Sequence, residues 1–376
     1  VKFDVVIVGA GIAGLSLAWT LHKAGKRILV VDRSQKAQGA SVRNFGMVWP
    51  LGHPIGPVRD LALRSRNIWI DIAADVGILA EPCGSLTLAY EPIEEQVLRE
   101  FYGQAGEDPH VGRLISPAEA KFMSPKIKTE GLRLALHSPT EVRVDPREVV
   151  QKLADYLTRE GVEIRLGVPI GLVLSGQVIE SNGRVIEAKS VVVCAGPDVR
   201  DLLPQLPREE GLKRCRLQMM RLKPIVDAIP RMGTHLCAGL TLGHYANFQE
   251  CPSINELKAF HAQKWPLQSA NGIHVLVSQH ADGTLTVGDS HEYGETTSAY
   301  RSEEVDIAIL AALGEFMDWS DFQVVERWDG YYNSSPGRFF SWAEVDERLW
   351  SLNLFGTGMT LSFGVAEKVA QTIMST

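Results

Sequence analysis

The sequence lacks the features that mark a membrane protein, a nucleic-acid binder or a disulfide scaffold. None of its apolar stretches approaches the roughly 20 residues that cross a bilayer, and no run of lysine and arginine offers a docking site to an anionic lipid surface. Basic residues number 38 against 45 acidic, and a formal charge of -7 provides no broad face for phosphates; neither membrane nor nucleic acid is an expected partner. The five cysteines, Cys83, Cys194, Cys215, Cys237 and Cys251, contain no C-x-x-C pair, so free thiols in a reducing compartment are expected and no metal site. No basic n-region or cleavage site precedes the first apolar run, which points to a cytoplasmic location without a secretory signal. Internal repeats and low-complexity linkers are also missing. The 376 residues, 45% hydrophobic and 22% charged, suit one large or two joined globular domains.

The strongest signal comes first in the chain. Phe3 to Val8 (FDVVIV) is a short β-branched run of the kind buried on both faces of a parallel sheet. It meets Gly9-Ala10-Gly11-Ile12-Ala13-Gly14 and then a helical stretch, Leu15 to Ala24. Strand, G-x-G-x-x-G and helix in that order form a dinucleotide-binding unit. Gly9 permits the tight turn, Gly11 lets the backbone approach a pyrophosphate, and Gly14 lets helix and strand pack closely. The helix N-terminus adds free N–H groups and partial positive charge. Gly25 ends the helix, Arg27 to Val31 forms a second strand, and Asp32 stands where an acid grips the adenosine ribose, which disfavours a 2′-phosphate.

Arg33 follows, and then a loop of small and polar residues, Gly39-Ala40-Ser41-Val42-Arg43-Asn44-Phe45-Gly46. With this loop the chain resembles the D-amino-acid-oxidase-like flavoproteins, the group of glycine oxidase and sarcosine oxidase. The resemblance implies FAD, with Ser41, Arg43, Asn44 and Gly46 along it. Arg143-Val144-Asp145-Pro146 then leads into a helix, Arg147 to Glu160, with proline near its first position. Strands are expected over Val162 to Leu166, Pro169 to Leu174 and Lys189 to Ala195. The resemblance places Ile170 at the adenine, and Ala195 and Gly196 near the cofactor. Near the C-terminus, Leu352 to Phe355 reads as a strand that enters a helix through Gly356-Thr357-Gly358-Met359-Thr360. In the family this second helix N-terminus faces the flavin pyrimidine edge, where partial positive charge stabilises the reduced flavin. No cysteine lies near that motif, so non-covalent FAD is expected.

The implied fold is α/β: a Rossmann-like FAD-binding domain (1–49, 140–205 and 319–376) with an inserted α+β antiparallel-sheet substrate domain (50–139 and 206–318). A hairpin is expected from Ile273 to Gly288, turning at Ala281-Asp282-Gly283, and Leu242 to Lys264 is expected as a loop and short helix over the active site.

The implied chemistry is oxidation of a small amine. A hydride leaves the α-carbon for flavin N5, the imine hydrolyses to a carbonyl compound, and molecular oxygen serves as acceptor. The flavin carries the reaction, so no residue is named as an acid or base. One departure is informative. Relatives that act on amino acids carry an Arg after a W-x-G segment to clamp the carboxylate, whereas Trp328-Asp329-Gly330 is followed here by Tyr331 and Tyr332. Segments around Asn44 to Pro50, His244 to Ser253 and Gly288 to Gly294 resemble a phosphonate-associated subgroup, which implies 2-aminoethylphosphonate or its N-methyl derivative as substrate. Arg43, His53, Tyr245, His291, Tyr331, Tyr332 and Met359 are the expected substrate-side residues. Three alternatives stay open: a glycine or sarcosine oxidase, an NADPH-dependent flavin hydroxylase suggested by Gly288-Asp289, and a non-catalytic flavoprotein.

Overall fold

A computed structural model describes every residue except 1, 107, 228 and 376. The first apolar run forms the strand Phe3–Val8, and it lies at the centre of a parallel array. Its neighbours are Ile28–Asp32 on one side and Val185–Val193 on the other, followed outward by Glu163–Leu166 and Leu349–Leu354. Both faces are covered, one by long helices and the other by the strand pair Ile170–Leu174 and Gln177–Glu180 with two single helical turns, which is why these strands read as continuous apolar runs rather than alternating ones. On one face the helices Ile12–Lys23, Pro57–Asp71, Pro146–Arg159 and Gly358–Ser375 pack around Leu15, Leu17, Leu21, Trp69, Leu153 and Phe363. The other face holds a smaller core that includes Val6, Leu29, Val191 and Val199.

The first helix begins at Ile12, three residues before the stretch expected from sequence. Part of the glycine motif is therefore the helix's own first turn, with Gly11 as an extended N-cap. The helix Pro146–Arg159 starts on its proline, and the Asp145 carboxylate accepts the Arg147 N–H at 2.9 Å.

A second sheet of nine strands is built around the long pair Lys213–Pro224 and Phe322–Ser334. The expected hairpin is present as antiparallel Leu276–Gln279 and Leu285–Gly288. The sheet is not wholly antiparallel as expected, because His235–Ala238 and Ser85–Ala89 run parallel. Two segments also cross the division drawn from sequence. Phe322–Ser334 pairs along its length with the second sheet, although it lies after residue 319. Pro57–Asp71 packs against the C-terminal helix, and Ala62, Ile68 and Trp69 join the core of the parallel layer. Its apolar stripe matches that layer, a pairing that segment order alone does not reveal.

Backbone contact fixes how the first strand meets the first helix. Gly9 has φ +116°, and a Cβ there would stand 2.4 Å from the Cys194 carbonyl oxygen. A Cβ at Gly14 would stand 1.9 Å from the Gly9 carbonyl oxygen, inside any tolerable contact. Gly14→Ala is therefore expected to cost at least about 3 kcal/mol, the upper range of overpacking effects, read as a lower midpoint in urea. Gly103→Ala is the control, since nothing lies within 4 Å of its added methyl; with alanine's better helix propensity it is expected to be neutral or stabilising by up to about 1 kcal/mol. Equal behaviour of the two variants would refute this account of the packing.

Candidate active site

A cavity of about 800 Å³ opens at the carboxyl ends of the parallel strands and continues beneath the second sheet. Ligands of open α/β sheets sit at this place, because there the helix N-termini and loop backbones converge. Gly9, Gly11, Ile12, Ala13, Asp32, Arg33 and Ser41 line one end, with Ile170, Ala195 and Gly196 beside them. Gly356, Gly358, Met359 and Thr360, at the start of the 18-residue C-terminal helix, line the middle. His53, Tyr245, His291, Tyr331 and Tyr332 line the far part, and Arg43 and Asn44 stand between. Of the sequence-derived residues, Gly14 and Gly46 are not on the wall. Both are packing residues: a Cβ at Gly46 would stand 2.0 Å from the Val144 carbonyl oxygen.

Several of these groups hold one another. The Asp32 carboxylate accepts the N–H of Ala10 and of Ser34, each at 2.8 Å, which ties the second strand to the glycine turn. Ser41 Oγ accepts the Ile12 N–H at 2.9 Å, and Asn44 closes its own loop through Ala40, Ser41 and Gly46. Thr360 Oγ1 accepts the Trp49 N–H at 2.9 Å, which pins the C-terminal helix to the loop beside the cavity. The four guanidinium groups on the wall already have partners. Arg43 donates to the Asp329 carbonyl at 3.0 Å, and Arg33 pairs with Asp198 at 2.6 Å. Arg338 pairs with Glu210 at 2.5 Å, while Arg214 lies 3.9 Å from Asp198 and stacks over Tyr331.

The far part contains a group that sequence reading missed. His244, His274 and His291 come together with their nearest nitrogens within 4.8 Å of one another. Asp289 stands between two of them, 3.5 Å from His274 Nε2 and 4.0 Å from His291 Nε2. Strand register brings this about, since His274 and Asp289 exchange backbone hydrogen bonds at 2.9 and 3.2 Å. Tyr245, Tyr293 and Tyr332 close around the imidazoles. Both ring nitrogens of His274 and one oxygen of Asp289 are buried without a protein partner. The sequence marks the segments around His244, Asp289 and Tyr293, but nothing in it links them to His274, which sits beside an ordinary strand. The Asp289 of the Gly288-Asp289 step belongs to this cluster rather than to the parallel sheet.

Burial sets the charge of the cluster. Desolvation pushes the buried His274 well below the usual imidazole range and takes His291 and His53 down to about 4; His244, exposed to the cavity, is not among them. The neighbouring imidazoles of His244 and His291 add to the depression of His274. Burial raises Asp289 well above the usual carboxyl range, so it holds its proton. These shifts carry a sign for stability. Between pH 6.5 and about 4 the unfolded chain takes up protons that His53 and His291 refuse in the folded state. Stability that is complete above pH 6.5 is therefore lost on acidification. Asp289 acts in the opposite direction but is a single group against several imidazoles. The protein is expected to be less stable at pH 5 than at pH 7.5 by at least about 2 kcal/mol, the share of one such histidine. An unfolding midpoint that is flat or rises on acidification would show that these imidazoles are not held neutral.

The residues present fit a dinucleotide flavin. At Gly9 a Cβ would strike the neighbouring strand, so the cavity wall there is backbone, and two helix N-termini open onto the same space. The model of the family described as FAD dependent oxidoreductase (DAO) matches residues 4–372. One of the polypeptides of opine oxidase from Agrobacterium tumefaciens is 21% identical over 349 residues, covering 88% of this chain and 82% of that one. Glycine oxidase of Geobacillus kaustophilus is 24% identical over 208 residues, 52% of this chain and 55% of its own length. Among solved structures, L-proline dehydrogenase from P. horikoshii superposes with a TM-score of 0.81 at 18% identity, over 100% of this chain and 94% of that one. Glycine oxidase from Bacillus cereus does so at 0.77 and 19% identity, over 100% and 95%. Among the described residues no helix is long and apolar enough to cross a membrane. The chain belongs to the DAO family of FAD-dependent oxidoreductases.

Proposed function

We propose that this flavoprotein oxidises a small aminophosphonate, with molecular oxygen as the acceptor. Bound FAD supplies the two-electron sink for a hydride that leaves the carbon next to nitrogen. The observation that carries the substrate reading is the far part of the cavity. Arg33, Arg43 and Arg338 are engaged elsewhere and Arg214 is stacked on Tyr331, while the unpartnered buried atoms of this part include ring nitrogens of His53 and His274 and one oxygen of Asp289. A compact anion such as a phosphonate suits that set better than a planar carboxylate awaiting a bidentate arginine.

In this reading the backbone of Gly9, Gly11, Ile12 and Ala13 holds the pyrophosphate, and Asp32 holds the adenosine ribose, with Arg33, Ser41, Arg43 and Asn44 alongside. Ile170, Ala195 and Gly196 flank the nucleotide end, and the start of the C-terminal helix, Gly356 to Thr360, lies against the flavin end. His53, Tyr245, His291, Tyr331, Tyr332 and Met359 enclose the amine, orient it and exclude water. The position of Asp289 among the histidines speaks against the hydroxylase alternative. Glycine or sarcosine oxidation remains the second reading, supported by the likeness to glycine oxidases.

Two experiments test this. Anaerobic mixing of the yellow protein with 2-aminoethylphosphonate or its N-methyl derivative is expected to bleach the flavin band near about 450 nm. Bleaching only by glycine, sarcosine or D-alanine would move the protein to the second reading, and bleaching by NADPH alone would end the amine-oxidase reading. Separately, Asp32→Ala is expected to weaken FAD retention about 30-fold, the loss of one charge-assisted hydrogen bond worth about 2 kcal/mol. Unchanged retention would remove Asp32 from the cofactor site.

A further inference from the structure

The histidine cluster does more than enclose the cavity. His291 Nδ1 lies 3.0 Å from the Gly272 carbonyl, so it carries the ring proton, and Nε2 presents a lone pair toward Asp289. His274 makes no hydrogen bond at either nitrogen, its Nε2 lying 3.5 Å from Asp289, although its side chain is only 4% exposed. Asp289 is equally buried, with one oxygen unpartnered. The lone pair of a neutral imidazole repels an oxyanion brought against it. Once protonated, the ring donates to one. Two imidazoles flank a single carboxyl and the third, His244, stacks against them, so a proton taken up by an imidazole adds positive charge to the cluster.

A metal ion suits this place less well. With bonds of about 2.1 Å it needs ring edges that converge on it, whereas His244 and His274 lie face to face, centroids 3.8 Å apart and planes at 30°. Other titratable groups around the cluster are Tyr245, Tyr293, Tyr332 and Cys215, each shifted upward and so in its protonated form near neutral pH. None of them has a proton to gain.

We propose that His244, His274 and His291, beside Asp289, bind the oxyanionic group of the substrate, and that the cluster takes up a proton as it does so. The proton enters from solvent onto an imidazole nitrogen, and no covalent bond to the ligand forms. The identity of the oxyanion as a phosphonate rests on the function proposed above, but proton uptake does not.

Sulfate is the probe, since it stays a dianion across the working range and any proton taken up must go to the protein. The FAD-loaded protein is titrated at constant ionic strength, followed by the flavin spectrum and by calorimetry in two buffers of different ionisation enthalpy. Uptake of about one proton per sulfate near pH 7 is expected, with Kd rising about tenfold per pH unit above it. In His274→Gln and His291→Gln, compared at equal flavin content, affinity is expected to fall roughly 10- to 100-fold and the pH dependence to flatten. Sulfate binding without proton uptake, or no binding, would overturn the inference on the unmodified protein alone. One zinc per purified chain, lost in His274→Gln, would overturn it in favour of a metal site. If sulfate binds with proton uptake while no aminophosphonate bleaches the flavin, the cluster assignment stands and the substrate reading falls. If 2-aminoethylphosphonate bleaches the flavin equally well in both variants, the substrate reading stands and the cluster assignment falls.

Discussion

The molecule depends on backbone touching backbone where the first strand turns into the first helix. Gly14 lies against the Gly9 carbonyl, and Gly9 lies against Cys194 on the next strand. No side chain fits either contact, and the helix can start directly at the strand's carboxyl end only because none is present. The first helix then sets its neighbours. Ser41 caps its Ile12 N–H, and Gly358 of the C-terminal helix sits over the Ile12 side chain. Pro57–Asp71 meets the C-terminal helix at Gly364, where a Cβ would stand 2.1 Å from the Leu61 carbonyl. The arrangement passes from one small residue to the next, and the cavity is the space left where they converge.

That chain of close contacts explains which parts of the site were readable in the sequence. Gly9, Gly11, Gly14 and Asp32 are local, and their spacing encodes a turn, a helix start and a strand end within thirty-odd residues. The same holds for Gly356 to Thr360. The histidine cluster is of another kind. His244 follows a short 3-10 turn, His274 precedes one strand and His291 precedes another; strand register brings the latter two together and the packing of a loop adds the first. Periodicity predicts that such strands exist, but not which residues face each other across them. The helix Pro57–Asp71 falls on the wrong side of the expected division for a related reason, since an amphipathic stripe shows that a face is buried without showing against what.

The two ends of the cavity handle charge by different means. At the nucleotide end the positive potential is permanent, because it comes from oriented backbone dipoles that do not titrate. At the far end it is conditional, because desolvation keeps the imidazoles neutral until something shares the space with them. A fixed field suits a cofactor held through many turnovers. A field that appears with its ligand suits a molecule that must arrive, react and leave.

The strand Phe322–Ser334 has a bearing on how such proteins are divided and recombined. It pairs along its length with Lys213–Pro224 in the second sheet, while Asn333 donates to the Gly196 carbonyl beside the nucleotide end. Its continuation, Phe340–Asp346, joins the parallel layer. The same length of backbone thus forms the edge of one layer, a wall of the cavity and the return path to the other layer. A transplant of the substrate-facing sheet between relatives cannot be cut where the linear order of segments suggests. Its downstream junction has to fall after Ser334, and the incoming strand must bring a side chain able to reach the Gly196 carbonyl.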